Sequence, residues 1–285
     1  MKLMLLLIIL LLIVYMPDVS SLAARNALAI WGLDVIPSLF PYMVLCKLIA
    51  NQFYKQKKLP ALPVIAALGI LGGSPSGAAA LSSYAQQGCC SRRQLYSLCA
   101  LTGTINPMFF FSSTMRNWNI VPSLSRWLFC AHFGGALLTS LCVYFFLPAA
   151  KSASSTSYIL SDSASSPIVQ SVSSVLNVGG CIVFFSVIAA CFSASLAWLS
   201  DTTRAVFHGL LEIAGGVHAL SSLRVPVHSQ GLLIAMTSGF SGLSILSQNA
   251  LFLKDNGITF SQLVILAILR SIFSVCLMAL ILKFF

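Results

Sequence analysis

One arginine stands where a membrane helix would place it in hydrocarbon. Arg270 is near the middle of the apolar run 259–282. A charge at the bilayer centre costs at least about 2.5 kcal/mol on insertion scales, so this side chain must face protein or water. A guanidinium can hold a carboxylate through two parallel hydrogen bonds, which makes Arg270 a candidate contact for an anionic solute. The alternative is that Arg270 pairs with a backbone carbonyl or a helix C-terminus.

Two short segments of small residues indicate breaks in membrane helices. They are GGSPSG, residues 72–77, and GFSG, residues 239–242. A break survives in hydrocarbon only where protein or a water-filled cavity satisfies the freed backbone groups. A helix that begins at such a break offers free N–H groups to a polar ligand. The alternative is close helix packing at small residues. The candidate solute-binding residues of the two segments are Ser74, Ser76, Gly77, Ser241 and Gly242.

A neutral hydrogen-bonding pair follows the first break. Thr102 and Asn106 in LTGTINPMFFF, residues 101–111, are four apart and share one face of a helix, which Pro107 would bend. We expect Thr102 and Asn106 to contribute to the same solute site as Arg270, and helix packing is the alternative role for both. The central apolar runs lack Asp and Glu, so no carboxylate proton relay is expected.

The sequence does not favour other kinds of chemistry. Its nine cysteines contain no C-x-x-C pair, and we expect no metal, no cofactor and, without a Walker A motif, no direct use of ATP. The G-x-S-G of residues 239–242 is similar to the serine motif of rhomboid-type proteases, but no histidine follows His228 to activate the serine. A base would have to come from upstream, for example from His132, which we expect instead to be a hydrogen-bonded packing residue. The chain is therefore not expected to be an enzyme.

Composition defines the elements that must position these residues. The chain has 285 residues, is 58% hydrophobic and 8% charged, and has a mean hydropathy of +0.94. It is therefore predicted to be an all-α polytopic membrane protein. Its net charge of +10 is scattered through short loops, which fits the lipid bilayer as a partner and not nucleic acid. Runs long enough to cross a hydrocarbon core of about 30 Å are residues 38–53, 94–111, 124–147, 172–199 and 259–282.

The chain divides into two halves. Residues 1–35 are predicted to form an N-terminal transmembrane segment and an interfacial helix, 18–34. Residues 36–147 and 172–285 are predicted to be structural repeats, joined by a Ser-rich linker at 148–171, and a second interfacial helix is expected at 204–222. Aligning 72–83 with 237–248 pairs Ser76 with Ser241 and Gly77 with Gly242.

Two broken segments, one in each half, are typical of secondary transporters. Their lengths favour re-entrant hairpins at both breaks, which would make the repeats inverted and place the linker in the cytoplasm. Full crossings would make the repeats parallel and place the linker outside. The Lys and Arg counts do not decide between the two arrangements.

Several motifs in order carry a resemblance to a known family. They are IPSLFPYMVLCKLI (36–49), GGSPSGAAAL (72–81), LTGTINPMFFF (101–111), GGCIVFFSVI (179–188), GLLEIAGGVHAL (209–220) and GFSGLSILSQ (239–248). The chain resembles the sporulation integral membrane protein YlbJ family, whose members carry the nucleoside-recognition or Gate type of domain also found in concentrative nucleoside transporters. Where relatives tend toward Gly-Phe-Pro-Ala-Gly, this chain adds the hydroxyls of Ser74 and Ser76.

The resemblance implies that both repeats are Gate-like and that the protein acts in endospore formation. It implies a transporter of a small polar or anionic solute, which passes dipicolinate toward the spore through the mother-cell membrane around the forespore. Further expected partners are other copies of the chain or other membrane proteins of the spore envelope. A nucleoside-type transporter and a noncatalytic scaffold for spore-envelope assembly are the alternatives.

Overall fold

A computed structural model describes residues 2–55, 62–86, 90–115, 118, 122–148 and 166–284. Within these residues every regular element is a helix. Five helical segments are long and apolar enough to cross a membrane: Pro17–Ile49, Leu124–Phe146, Pro167–Ser195, Val227–Asn256 and Phe260–Leu282. The predicted all-α polytopic membrane fold is confirmed.

Fourteen α-helices are described. The first half contains α1 (Lys2–Tyr15), α2 (Pro17–Ile30), a π-helical turn (Trp31–Val35), α3 (Ile36–Lys55), α4 (Leu62–Gly72), α5 (Ser76–Gln86), α6 (Arg92–Thr102), α7 (Pro107–Phe109, continued by a π-helical turn, Phe110–Met115) and α8 (Pro122–Phe146). The second half contains α9 (Pro167–Ser195), α10 (Asp201–Leu211), α11 (Ile213–Ser221), α12 (Val227–Phe240), α13 (Gly242–Leu253), a 3-10 turn (Lys254–Asn256) and α14 (Phe260–Leu282).

Two sequence expectations about spans are corrected. The run 94–111 is not one helix, because α6 ends at Thr102 and α7 begins at Pro107, whose ring nitrogen cannot donate to a continuing helix. The predicted interfacial helix 18–34 is instead the first part of a helical stretch that continues from Pro17 to Lys55.

Helices α4 and α5 form a hairpin, named hairpin 1. A Cβ placed on Gly77 would lie 2.9 Å from the carbonyl oxygen of Gly69, although a straight helix separates two such residues by about 12 Å. The chain therefore folds back between the two helices. Gly73 at the turn has φ +59°, and a Cβ there would lie 2.5 Å from the Asn106 backbone, so only glycine fits.

Helices α10 and α11 form a second hairpin, named hairpin 2, with Glu212 at its tip. A Cβ placed on Gly216 would lie 2.0 Å from the Cα of Gly209, so the chain reverses here too. The predicted interfacial helix 204–222 is therefore wrong. Its two half-helices turn back at Glu212 and bury that residue, which is 2% exposed.

The second predicted break, at Ser241, does not fold back. Ser271 of α14 donates to the Met236 carbonyl at 2.8 Å, and farther along the chain Leu246 and Leu253 pack in one cluster with Leu263 and Leu266. Helices α12 and α13 thus run antiparallel to α14 along its length. Ser241, at φ +70°, redirects the helix without reversing it, which corrects the expected hairpin at 239–242.

Both halves contain the same order of elements: a long helix, a hairpin, a broken helix and a long helix. In each hairpin a glycine pair packs against a threonine of the following broken helix: Gly69 and Gly77 against Thr102, and Gly209, paired with Gly216, against Thr237. The structural counterpart of hairpin 1 is therefore hairpin 2, which differs from the alignment of 72–83 with 237–248.

The hairpins enter the bundle from opposite ends. At the hairpin-1 end, Ser82 donates to Asn256 Oδ1 at 2.7 Å. At the hairpin-2 end, Trp118 Nε1 donates to Gln230 Oε1 at 3.2 Å, and the Gln230 amide donates to the Leu223 carbonyl just after α11. Residues 149–165 of the Ser-rich linker lie outside the described residues, so its side of the membrane stays a prediction.

The crossing of α12 and α13 can be tested by cysteine labelling in a variant without native cysteines. We expect Ser222→Cys and Lys254→Cys, both at exposed positions, to be labelled from opposite sides of the membrane. Asp201→Cys is the matched control, because hairpin 2 returns its two ends to one face, so it should label from the same side as Ser222→Cys. Labelling of all three from one side would contradict the crossing.

Candidate functional site

The tips of the two hairpins and the two helix breaks meet around a small buried cavity. Its walls are mostly Val, Leu, Ile and Phe side chains from α3, α7, α9 and the adjoining segments. The polar residues that line it are Ser74, Asn106, Glu212, Ser244 and Gln248. An apolar pocket with a few convergent polar groups is the usual composition of a small-molecule site, but this cavity is about 40 Å³, far below the roughly 300 Å³ of a typical site, so a solute requires it to widen.

Asn106 joins hairpin 1 to the first break. Its side-chain amide donates to the carbonyls of Leu71 and Gly72 at 2.7 and 3.2 Å, so it satisfies the C-terminal end of α4. Its carbonyl oxygen accepts from the backbone N–H groups of Met108 and Phe109 and so caps the start of α7. Asn106 is therefore both a structural link and part of the cavity wall.

Ser74 connects the same hairpin tip to the second half of the chain. Its backbone N–H donates to the Thr104 carbonyl at 2.9 Å, and its hydroxyl donates to Asn249 Oδ1 of α13 at 2.5 Å. Ser74 is thus held between the two breaks and lines the cavity, and its contact with a solute stays a prediction.

Sequence reasoning missed three polar residues of the cavity, Glu212, Ser244 and Gln248, and Glu212 is the charged residue among them. Its carboxylate accepts from the backbone N–H groups of Ala214 and Gly215, at 3.1 and 2.8 Å, and caps α11. The central apolar runs lack Asp and Glu, but Glu212, which lies outside those runs, is buried at the cavity. The sequence signal was a lone glutamate before a glycine pair, EIAGG, in an apolar segment.

Arg270 is buried beside the cavity and does not line it. Its Nε donates to the Gly239 carbonyl at 3.2 Å, one Nη to the Ala100 carbonyl at 3.3 Å and the other to Ser241 Oγ at 3.4 Å. These carbonyls belong to the C-terminal ends of α12 and α6, where the helix dipole favours a cation. Within the described residues no carboxylate pairs with it. The structure thus gives Arg270 the helix-terminus role that the sequence left as an alternative.

Other predicted site residues lie at packing contacts. Thr102 fills the space over Gly69 and Gly77, where an added Cβ would lie within 2.9 Å of its side chain. Gly242 has φ +78° and faces the Leu211 and Gly209 carbonyls near the tip of hairpin 2. The structure brings Thr102, Gly77 and Gly242 to the edges of the site, while the cavity wall is formed by others.

Ser76 and His132 are buried without hydrogen-bond partners in the described part of the chain. Ser76 lines a separate polar cleft at the hairpin-1 end rather than the central cavity. His132 stacks on Phe110, with ring centroids 5.1 Å apart, and contacts Phe133 edge-on. The expected packing role of His132 fits this position, but the expected hydrogen bond is not found among the described residues.

The fold and the cavity define a polytopic helical membrane protein with two helical hairpins. Among curated proteins, the chain is similar to the sporulation integral membrane protein YlbJ of Bacillus subtilis (strain 168). The two are 23% identical over 313 aligned positions, which cover 90% of this chain and 76% of the relative. This similarity confirms the predicted resemblance and supports assignment to the YlbJ family. No family model and no solved structure matches the chain.

The capping role of Arg270 predicts a stability effect. Arg270→Ala leaves buried carbonyls without donors, so we expect it to destabilise the protein by about 2 to 4 kcal/mol, with partial recovery in Arg270→Lys. Thermal unfolding in detergent measures this change. Arg224→Ala, at an exposed loop position, is the control and should change stability by less than about 0.5 kcal/mol. An unchanged melting temperature for Arg270→Ala would remove the capping role.

The glycine contact of hairpin 1 predicts a second effect. Gly77→Ala places a Cβ 2.9 Å from the Gly69 carbonyl oxygen, and such overpacking typically costs about 1 to 3 kcal/mol. Gly180→Ala is the control, because nothing lies within 4 Å of its added Cβ. The same unfolding measurement should separate the two variants, and equal melting temperatures would show that hairpin 1 packs less tightly than described.

Proposed function

We propose that the chain is a transporter that passes a small polar solute across a membrane during endospore formation. The observation that carries this proposal is the mostly apolar cavity, with five polar side chains in its wall, between two hairpin tips that enter from opposite ends. In transporters built from inverted halves, the solute site lies near the midplane, between discontinuous segments. The similarity to a sporulation integral membrane protein supports the cellular process.

The position of the cavity supports transport over a scaffold role. Each hairpin tip separates the cavity from one end of the bundle, so movement of either tip would open the cavity toward that end alone. Enzymatic activity has no support in these contacts, and we propose none.

Dipicolinate is the proposed solute, and the mother-cell membrane around the forespore is the proposed location. Both follow from the family resemblance. The cavity of about 40 Å³ must widen to hold a planar aromatic ring, which its apolar walls would then contact. The carboxylates of the solute need donors from hydroxyl and amide groups such as those of Ser244 and Gln248. An ionised Glu212 would oppose this, since two unit charges about 5 Å apart repel by roughly 3 kcal/mol at an effective dielectric constant of 20. The proposal therefore requires a proton or cation on Glu212 when the solute is bound.

A nucleoside-type solute is the second candidate, and the Glu212 carboxylate is the observation that favours it. An uncharged solute with several hydroxyl groups can donate to a carboxylate without repulsion. Dipicolinate binding therefore requires that the charge of Glu212 be neutralised, whereas a nucleoside-type solute is favoured by the ionised carboxylate.

Exchange in proteoliposomes tests both solutes. Vesicles with wild type, Glu212→Gln or Glu212→Ala are loaded with unlabelled dipicolinate or uridine, and entry of the labelled solute is measured. We expect wild type to exchange dipicolinate and Glu212→Gln to retain exchange within about threefold, because an amide resembles a protonated acid. Glu212→Ala also loses the cap of α11, and exchange should fall about tenfold or more, equivalent to about 1.4 kcal/mol.

The outcomes separate the candidates. Uridine exchange that disappears in Glu212→Gln, with no dipicolinate exchange by wild type, would establish the nucleoside-type reading. No exchange of either solute by folded wild type would contradict transport of these solutes and favour the scaffold.

A further inference from the structure

A polar cleft opens at the hairpin-1 end, outside the central cavity. We propose that this cleft is an entry site that binds the carboxylate of a small organic acid before it reaches the cavity. It lies between α3, α5, α9 and α13 and has serine, asparagine and glutamine side chains along two of its walls. The inference rests on the proposed transport function and names the class of solute.

Lys47 supplies the positive charge in the cleft. It is half-buried on α3, and its Nζ donates to Ser174 Oγ of α9 at 3.3 Å. Among the described residues no salt bridge involves Lys47. The cleft also contains Asp255, but that residue is exposed at its mouth. An ammonium group has three donors, so Lys47 can hold a carboxylate while it keeps its bond to Ser174.

Ser76 supplies a second, independent feature. It is the first residue of the eleven-residue helix α5 and is 5% exposed, yet its hydroxyl has no hydrogen-bond partner in the described part of the chain. A buried hydroxyl without a partner is costly, and a ligand oxygen would satisfy it. The start of α5 also carries the positive end of the helix dipole. Hydroxyl, dipole and ammonium group all favour an anion in the same cleft.

The cleft and the central cavity share one wall. Ser74 and Ser76 lie two residues apart in the turn of hairpin 1, and Ser74 lines the cavity while Ser76 lines the cleft. On α13, Gln248 lines the cavity, and Leu251, about one turn later, lines the cleft. The tip of hairpin 1 is therefore the barrier that a solute in the cleft must pass to enter the cavity.

Equilibrium binding to the purified protein in detergent tests this site. The probes are labelled dipicolinate and its uncharged isostere pyridine-2,6-dicarboxamide. We expect Lys47→Gln to weaken dipicolinate binding about tenfold, equivalent to about 1.4 kcal/mol, and Lys47→Arg to keep most of the affinity. Ser76→Ala should weaken binding about threefold, and diamide binding should not change in any variant. Lys254→Gln, an exposed position at the same end, is the charge-matched control and should bind as wild type.

The result that overturns the site is unchanged dipicolinate binding by folded Lys47→Gln protein, with folding checked by thermal unfolding. An equal loss of diamide binding would also overturn it, because the charge would then not be what is recognised. Failure of the transport proposal looks different: dipicolinate binding would still depend on Lys47, but vesicles would show no exchange. If vesicles exchange dipicolinate normally but neither its binding nor its entry depends on Lys47, the entry site alone is rejected.

Discussion

The structure depends on one requirement, that every backbone group freed by breaking a helix in hydrocarbon finds a partner. Three side chains satisfy five of the helix ends that meet at the centre of this chain. Arg270 donates to carbonyls at the ends of α6 and α12. The Asn106 side chain donates to a carbonyl at the end of α4 and accepts from an N–H group at the start of α7, and the Glu212 carboxylate accepts from an N–H group at the start of α11. A buried guanidinium is expensive, but it can bond several carbonyls at once in a fixed geometry.

This requirement also explains why polar side chains lie in the wall of a mostly apolar cavity. Asn106 and Glu212 face the cavity because they cap the helices that surround it, so the same groups serve folding and recognition. The Arg270 guanidinium donates to two backbone carbonyls and to the Ser241 hydroxyl, and it does not line the cavity. The polar groups of the cavity wall are therefore two hydroxyls, two amides and one carboxylate, and the buried Arg270 is already committed to other bonds.

The sequence could predict the membrane class, the breaks near Pro75 and Ser241, and the burial of Arg270, because each follows from composition or from one residue in an apolar run. It could not predict which break folds back. GGSPSG and GFSG both consist largely of small residues. The packing against Thr102 identifies the first as a hairpin tip, and the packing along α14 identifies the second as a kink between two helices. Glu212 was hidden for a similar reason. With Arg204 and His208 it makes a polar stripe at helical spacing, and only the reversal of the chain at Glu212 buries it.

The contacts of Arg270 have a mechanical consequence. Its side chain, from the last helix, bonds Ala100 of the first half and both Gly239 and Ser241 of the second. Within each half, the glycine–threonine contacts pack a hairpin closely against its broken helix. The halves also pack together along α8 and α14, where Gly134 lies against Leu277 and Gly135 against Ser274. Arg270 adds hydrogen bonds to this helix packing, so the two halves resist sliding past each other at the centre of the molecule.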